Sequence, residues 1–362
     1  MNLLKINRYN LIMSTTEENI KMLESLEHYK LIADEDELKW FYDHCVHPLK
    51  RNEAYAFCLS IRKKKLNAED LKSPLGRVEM LDPQVVFATS EGETTYERWK
   101  KGIRSYECHK EAFAYGGRTL PPKAMVVYFH INPCDELKVI EDLKGYINIH
   151  EQELINSAIK DIDRANFIAN ILGPDLSGYL NDPTAESLDA IMKRIGSLKL
   201  RSDESGTSQS LYKMCKSLSK MKRLQFDNVG TKYWVDFDLD LNDWGKYIRD
   251  FYMDGDPLLD GWMVYCNEKL GKGNFVIVAT SGGYHTMVNK DIIHWNPNTF
   301  IEDFQRLEID SPIPHPDGST RLVKNGELIG ELVYNTNAMI PVPGTYQYGN
   351  IVHVINKGDF PA

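Results

Sequence analysis

The sequence predicts a mixed α+β protein, and three observations carry that prediction. Residues 232–240, KYWVDFDLD, alternate apolar and acidic side chains with the two-residue period of a strand. Three other short runs, at 54–62, 123–133 and 274–288, are apolar or alternating and end in turn residues. Stripes of apolar residues at helical spacing lie before and between them.

Taken in order, the start, MNLLKINRYNLIM, is too polar for a secretory signal. Residues 1–16 read as a frayed or disordered end, or in part as sequence upstream of a start at Met13. Helices are expected over 17–32, where Ile20, Met22, Leu23 and Leu26 share a face, and over 34–45. In the strand at 54–62, Tyr55, Phe57, Leu59 and Ile61 make an apolar face. The other face, Ala54, Ala56, Cys58, Ser60 and Arg62, is mostly small and leaves room above it. Arg62 with Lys63, Lys64 and Lys65 suits either an anion site or a solvated strand end. The signals from 71 to 118 are mixed. Residues 123–133, KAMVVYFHINP, form a buried strand closed by Asn132 and Pro133, with Asn132 as a turn residue.

Residues 136–224 read as almost entirely helical, with stripes through Ile155, Ile159 and Ile162 and through Leu188, Met192 and Ile195. A third helix carries Lys213, Lys216 and Lys220, the clearest basic patch of the chain. Such a face is often merely solvated, but it directly precedes the acidic strand.

In that strand Asp236, Asp238 and Asp240 face one way and Val235, Phe237 and Leu239 the other. Carboxylates two residues apart on a strand stand roughly 6.6 Å apart at Cα and can share an ion. They repel one another unless a cation intervenes. Hard divalent cations with oxygen ligands, Mg²⁺ or Mn²⁺, suit that pattern; an edge strand with an acidic solvated face is the plainer alternative. Beyond it, 243–270 looks helical but broken at Gly255, Pro257 and Gly261. Residues 274–288 read as strand, turn and strand, the turn being Ser281, Gly282 and Gly283. Its amides could hold a phosphate and present His285 to it, or it could be a plain hairpin. The stretch beyond, through Pro312, Pro314 and Pro316, reads as loop, and 330–354 as an irregular segment between short strands.

Composition narrows the classes. The 362 residues carry 43 basic and 52 acidic side chains, a net charge of −9, which opposes general attraction to nucleic acid and leaves local patches to do any binding. Six cysteines without a C-x-x-C pair indicate neither zinc ribbon nor disulfide framework and fit a reducing cytoplasm. No apolar run approaches the roughly 18 residues that span a bilayer.

The ordered set of motifs resembles the archaeo-eukaryotic primase superfamily, the primase-polymerase core of plasmid and phage type. YWVDFDLD at 233–240 is similar to its paired-aspartate strand and TSGGYH at 280–285 to its small-x-His motif. VVYFHINP at 126–133 and IPVPGT at 340–345 are similar to flanking segments, and FCLSIRKKK at 57–65 to its N-terminal basic strand. The resemblance implies an α/β module at 17–135, a helical insertion at 136–224 and an RRM-like catalytic module at 225–362. It further implies a primase/polymerase on single-stranded DNA using nucleoside triphosphates and a two-metal mechanism. Asp236 and Asp238 would be metal ligands and His285 a catalytic ligand of the nucleotide phosphate. Arg62, Lys64 and Ser281 would join His285 in nucleotide binding, and Lys213, Lys216 and Lys220 would touch DNA. The family's third acid falls at Gly330 here, with Glu331 beside it as a substitute ligand. Without that acid the chain would be a template-binding replication protein that no longer catalyses. With no helicase P-loop present, any helicase is a separate polypeptide. Asp-x-Asp also occurs in nucleotide-sugar enzymes, but the Gly-rich strand-to-helix turn of a Rossmann half is missing.

Overall fold

The computed structural model describes residues 16–50, 53–81, 84–87, 95–135, 138, 229–251, 257–306, 308–314, 320–324 and 330–360. The chain divides into two compact units. One comprises Met1–Leu49, Tyr55–Pro133 and Thr231–Ala362, the other Lys50–Ala54 and Cys134–Gly230. The frayed N-terminus expected before residue 16 and nearly all of the helical block at 136–224, with Lys213, Lys216 and Lys220, lie outside the described residues.

The first unit is mixed α+β. Helix α1 spans Thr16–Ser25 and α2 Glu35–Cys45; the Asp34 carboxylate caps α2 by accepting from Glu37 N at 2.9 Å. The first helix stops seven residues short of the expected Ile32. Its continuation is extended because Tyr29 N donates to Cys108 O, while Leu31 N and Ile32 N both donate to Glu107 Oε1. Tertiary hydrogen bonds there override a helical pattern. Strand β1 (Glu53–Ile61), helix α3 (Ala68–Lys72), strand β2 (Gln84–Phe87) and helix α4 (Tyr96–Arg104) follow. A small hairpin, β3 (Ala114–Tyr115) with β4 (Arg118–Thr119), leads to β5 (Met125–His130); the two-residue β6 (Cys134–Asp135) belongs to the second unit.

From residue 229 on come β7 (Trp234–Leu241), helices α5 (Asp243–Phe251) and α6 (Pro257–Leu270), and strands β8 (Phe275–Ala279) and β9 (Gly283–Asn289). Gly261 lies inside α6 and does not break it. The stretch read as loop is in fact helix α7 (Pro297–Arg306) and a hairpin, β10 (Glu308–Pro314) with β11 (Thr320–Lys324). The prolines at 312 and 314 sit in β10, a strand with a single partner, where a missing N–H is tolerated. Strands β12 (Gly330–Asn335), β13 (Met339–Pro341), β14 (Tyr346–Gln347), β15 (Asn350–Ile351) and β16 (His353–Val354) close the chain.

Two sheets result within this unit. The first runs β15-β14-β5-β1-β2, with β13 also on β5; the second runs β12-β7-β9-β8-β16. From β1, Tyr55, Phe57, Leu59 and Ile61 enter the main core as expected, beside Phe41, Trp99 and Phe129. The small face is less open than its composition suggests, since Ala54, Ala56 and Cys58 are buried and only Ser60 and Arg62 on it are partly exposed. In the second sheet Val235, Phe237, Leu239 and Leu241 pack on Trp262 of α6 and Phe300 of α7, forming a second core. The opposite face carries Met287, Val276 and Val278 into the main core. The acidic residues therefore share a face with core side chains.

Candidate metal and anion site

Register places the site. In the β7–β9 pair Asp238 is directly across from His285 and Asp236 from Met287, so His285 sits opposite one aspartate and diagonal to the other. Residues facing one another across an antiparallel pair project to the same side, with Cβ atoms about 5 Å apart. His285 Nδ1 lies 2.9 Å from Asp236 Oδ2 and 3.5 Å from Asp238 Oδ1. Since a carboxylate only accepts, the proton of the short contact is on Nδ1.

Burial makes this arrangement costly. Asp236 is 0% exposed and its Oδ1 has no hydrogen-bond partner among the described residues, an uncommon state for a carboxylate. Burial alone would lower the His285 pKa, but Asp236, Asp238 and Asp240 outweigh it and push the imidazole up to about 8. Asp238 is raised, first by burial and then by Asp236 and Asp240, with His285 opposing. Ligand atoms of Asp236, Asp238 and His285 all lie within 4.8 Å of one another, so the group could hold a metal ion.

The other expected residues distribute unevenly. Arg62 points its guanidinium at Tyr348, with Nη1 3.5 Å from the hydroxyl; Tyr348 first, then Tyr128 and Asp240, raise its pKa against the opposing effect of burial. Lys64 is exposed on the 3-10 turn Lys63–Lys65, and Lys63 pairs with Glu79 at 2.5 Å. Ser281 lies in the turn before β9, but the turn is not an open cradle of amides. Ser281 N donates to Gln347 Oε1 at 2.7 Å, and Gly282 N and Gly283 N donate to Thr280 Oγ1 at 3.2 and 3.1 Å. The phosphate cradle expected there is corrected accordingly; the turn leaves the Ser281 hydroxyl and His285 as its contribution.

Glu331 is on the aspartate face of β12, directly opposite Asp240, and is not part of the Asp236, Asp238, His285 group. Gly330 pairs with Leu241 on the other face, and a Cβ there would come within 2.3 Å of Asp240 O. No acid fits at that position. Across from Asp238 and Asp236, β12 offers Val333 and Asn335.

Sequence reasoning missed Asn132. Rather than a turn residue, it is a fully buried clip: its Oδ1 accepts from Tyr233 N at 2.7 Å and Trp234 N at 2.9 Å, and its Nδ2 donates to Trp234 O at 2.8 Å. It thus fixes the start of the acidic strand to the end of β5. Tyr128, Gln347 and Tyr348 were missed too, because nothing in their local sequence marks them.

The fold and the cluster define a mixed α+β protein with a buried Asp-Asp-His group able to hold a metal ion. Among the described residues no helix is long and apolar enough to cross a membrane. No protein-family model, curated protein or solved structure matches the chain.

Proposed function

We propose that this chain is a template-dependent nucleotidyltransferase that makes short primers on single-stranded DNA and extends them, with the β7–β9 sheet as an RRM-like catalytic layer of the primase-polymerase kind. One observation carries the reading: two aspartates and a histidine from neighbouring strands converge on one point, with a buried Asp236 oxygen left unpartnered. Asp236 and Asp238 are the residues that would hold Mg²⁺ or Mn²⁺, ions that take carboxylate oxygens. When bound, such ions supply charge neutralisation at the attacking and leaving oxygens of an in-line phosphoryl transfer.

The chain's own contribution is positioning. His285, held by Asp236, presents its remaining ring nitrogen to a triphosphate, and Arg62, Lys64 and the Ser281 hydroxyl are the further anion ligands. Lys213, Lys216 and Lys220 grip the template, and a separate helicase polypeptide would open it. Charge reversal at those lysines is expected to weaken single-stranded DNA binding and reduce its salt slope, and an unchanged slope refutes their role.

The deciding experiment is incorporation of labelled nucleotides on single-stranded DNA with Mg²⁺ and with Mn²⁺. Product that disappears in Asp236→Ala and Asp238→Ala supports the reading; undiminished product in either variant sinks it. A second reading, a primase-like protein that binds template without catalysis, is favoured by Val333 and Asn335 standing where acids would complete the metal site. It requires DNA affinity with no product under either ion.

A further inference from the structure

A two-residue turn, Tyr348 and Gly349, closes the hairpin in which Gln347 of β14 pairs with Asn350 of β15. Both have left-handed backbones, φ 55° and 90°, and Tyr348 is the one non-glycine residue so placed among the described residues. Turns of this kind favour Asn-Gly, because a large side chain crowds its own backbone in that region. Backbone preference does not explain the tyrosine, which directs attention to its side chain.

That side chain is buried, and the Arg62 guanidinium lies over its ring at 5.4 Å from Cζ to centroid. The hairpin is fastened on both sides. Tyr348 N donates to Met125 O at 3.2 Å, Gln347 pairs with Val126, and the Gln347 side chain holds the Ser281 amide. Tyr128 lies on the same face of the first sheet as Cys58, toward Arg62. Burial first, then Tyr348 and Asp238, raise the Tyr128 phenol, with Arg62 opposing. Asp240, two residues beyond Asp238, is the carboxylate that Arg62 senses. Yet among the described residues Arg62 forms no ion pair. A half-buried guanidinium set over an aromatic ring, with no ion-pair partner among the described residues, suits a phosphate taken through its fork.

We propose that the Tyr348 turn is a positioning device that holds the Arg62 fork, with Tyr128 beside it, on the terminal phosphates of a nucleoside triphosphate whose inner phosphate lies toward Asp236, Asp238 and His285. This deepens the nucleotidyltransferase reading and rests on it. The test is the affinity of the full-length protein for a nucleoside triphosphate and for the matching monophosphate, with KM and kcat for incorporation, in wild type, Tyr348→Phe, Arg62→Lys and the double variant. Tyr348→Phe keeps the buried ring and loses only the hydroxyl.

The expected result is about tenfold weaker triphosphate binding in each single variant, with monophosphate binding within about twofold of wild type. KM should rise with kcat little changed, and the double variant should be about as weak as either single one. Unchanged triphosphate affinity in Tyr348→Phe, or equal losses for both nucleotides, overturns the positioning role while wild-type incorporation still supports the enzyme. Wild-type protein that binds no triphosphate overturns both.

Discussion

The two most deeply buried carboxylates of this unit among the described residues are Glu37 of α2 and Asp236 of β7, and their surroundings differ in kind. Glu37 is saturated: Val354 N donates to Oε1 at 2.7 Å, while His353 Nδ1 at 3.5 Å and Lys357 Nζ attend Oε2. Burial by itself would raise its carboxyl, but His353, Lys357 and the Val354 amide outweigh it and hold the pKa below the ordinary value. Asp236, at 0% exposure, has His285 on one oxygen and, among the described residues, no partner on the other. A satisfied buried acid pins structure together, here joining α2 to the strand that edges the second sheet. An unsatisfied one marks a place where something else belongs.

The largest effect should come from the unsatisfied acid. Asp236→Ala is expected to reduce metal-dependent nucleotide incorporation by about a thousandfold or more, while its unfolding free energy in chelator changes by less than about 1 kcal/mol. Stability loss matching the activity loss would make Asp236 a second structural pin. Glu37→Ala should do the reverse, lowering the urea unfolding free energy by about 2–3 kcal/mol, since Lys357 and the Val354 amide lose their partner. A neutral outcome there would erase the contrast.

Comparable in size is the response to cation. Mn²⁺ at 100 times its Kd should stabilise wild type by about 2.7 kcal/mol and leave Asp236→Ala unmoved. Equal shifts in both proteins would place the ion elsewhere. The smallest effect concerns acid. Because the folded Glu37 carboxyl is held below the ordinary glutamate range, its contribution is complete above that range and fades as pH falls through the lower folded value. The urea-midpoint difference between wild type and Glu37→Gln should therefore be constant near neutrality and shrink below about pH 4.5. A difference that grows on acidification contradicts the sign.

Much of the site was legible in the linear pattern. Alternation alone put Asp236 and Asp238 on one face and Phe237 and Leu239 on the other, and the structure places them so. The turn after β8 gave the position of His285. Harder to read were features made by distant backbone. The helix expected to reach Ile32 ends at Ser25 because Glu107 and Cys108 capture the next amides. Asn132 looks like a turn residue beside Pro133 but bonds a strand 102 positions away. Helix α7, hidden among polar residues before a proline-rich run, has a short apolar signal whose anchor, Phe300, becomes evident only against Trp262 and Phe237.

By itself the sequence determined the two-residue period of β1 and β7, the acid pair on β7 and the mixed α+β class, because these depend on side-chain spacing along one element. Register between elements belongs to the tertiary structure. It set His285 across from Asp238, put Val333 rather than an acid beside them, and brought Tyr348 under Arg62 from 286 residues away. Pairing of separated strands is fixed by which faces must be buried together, and that competition is settled by the whole core at once.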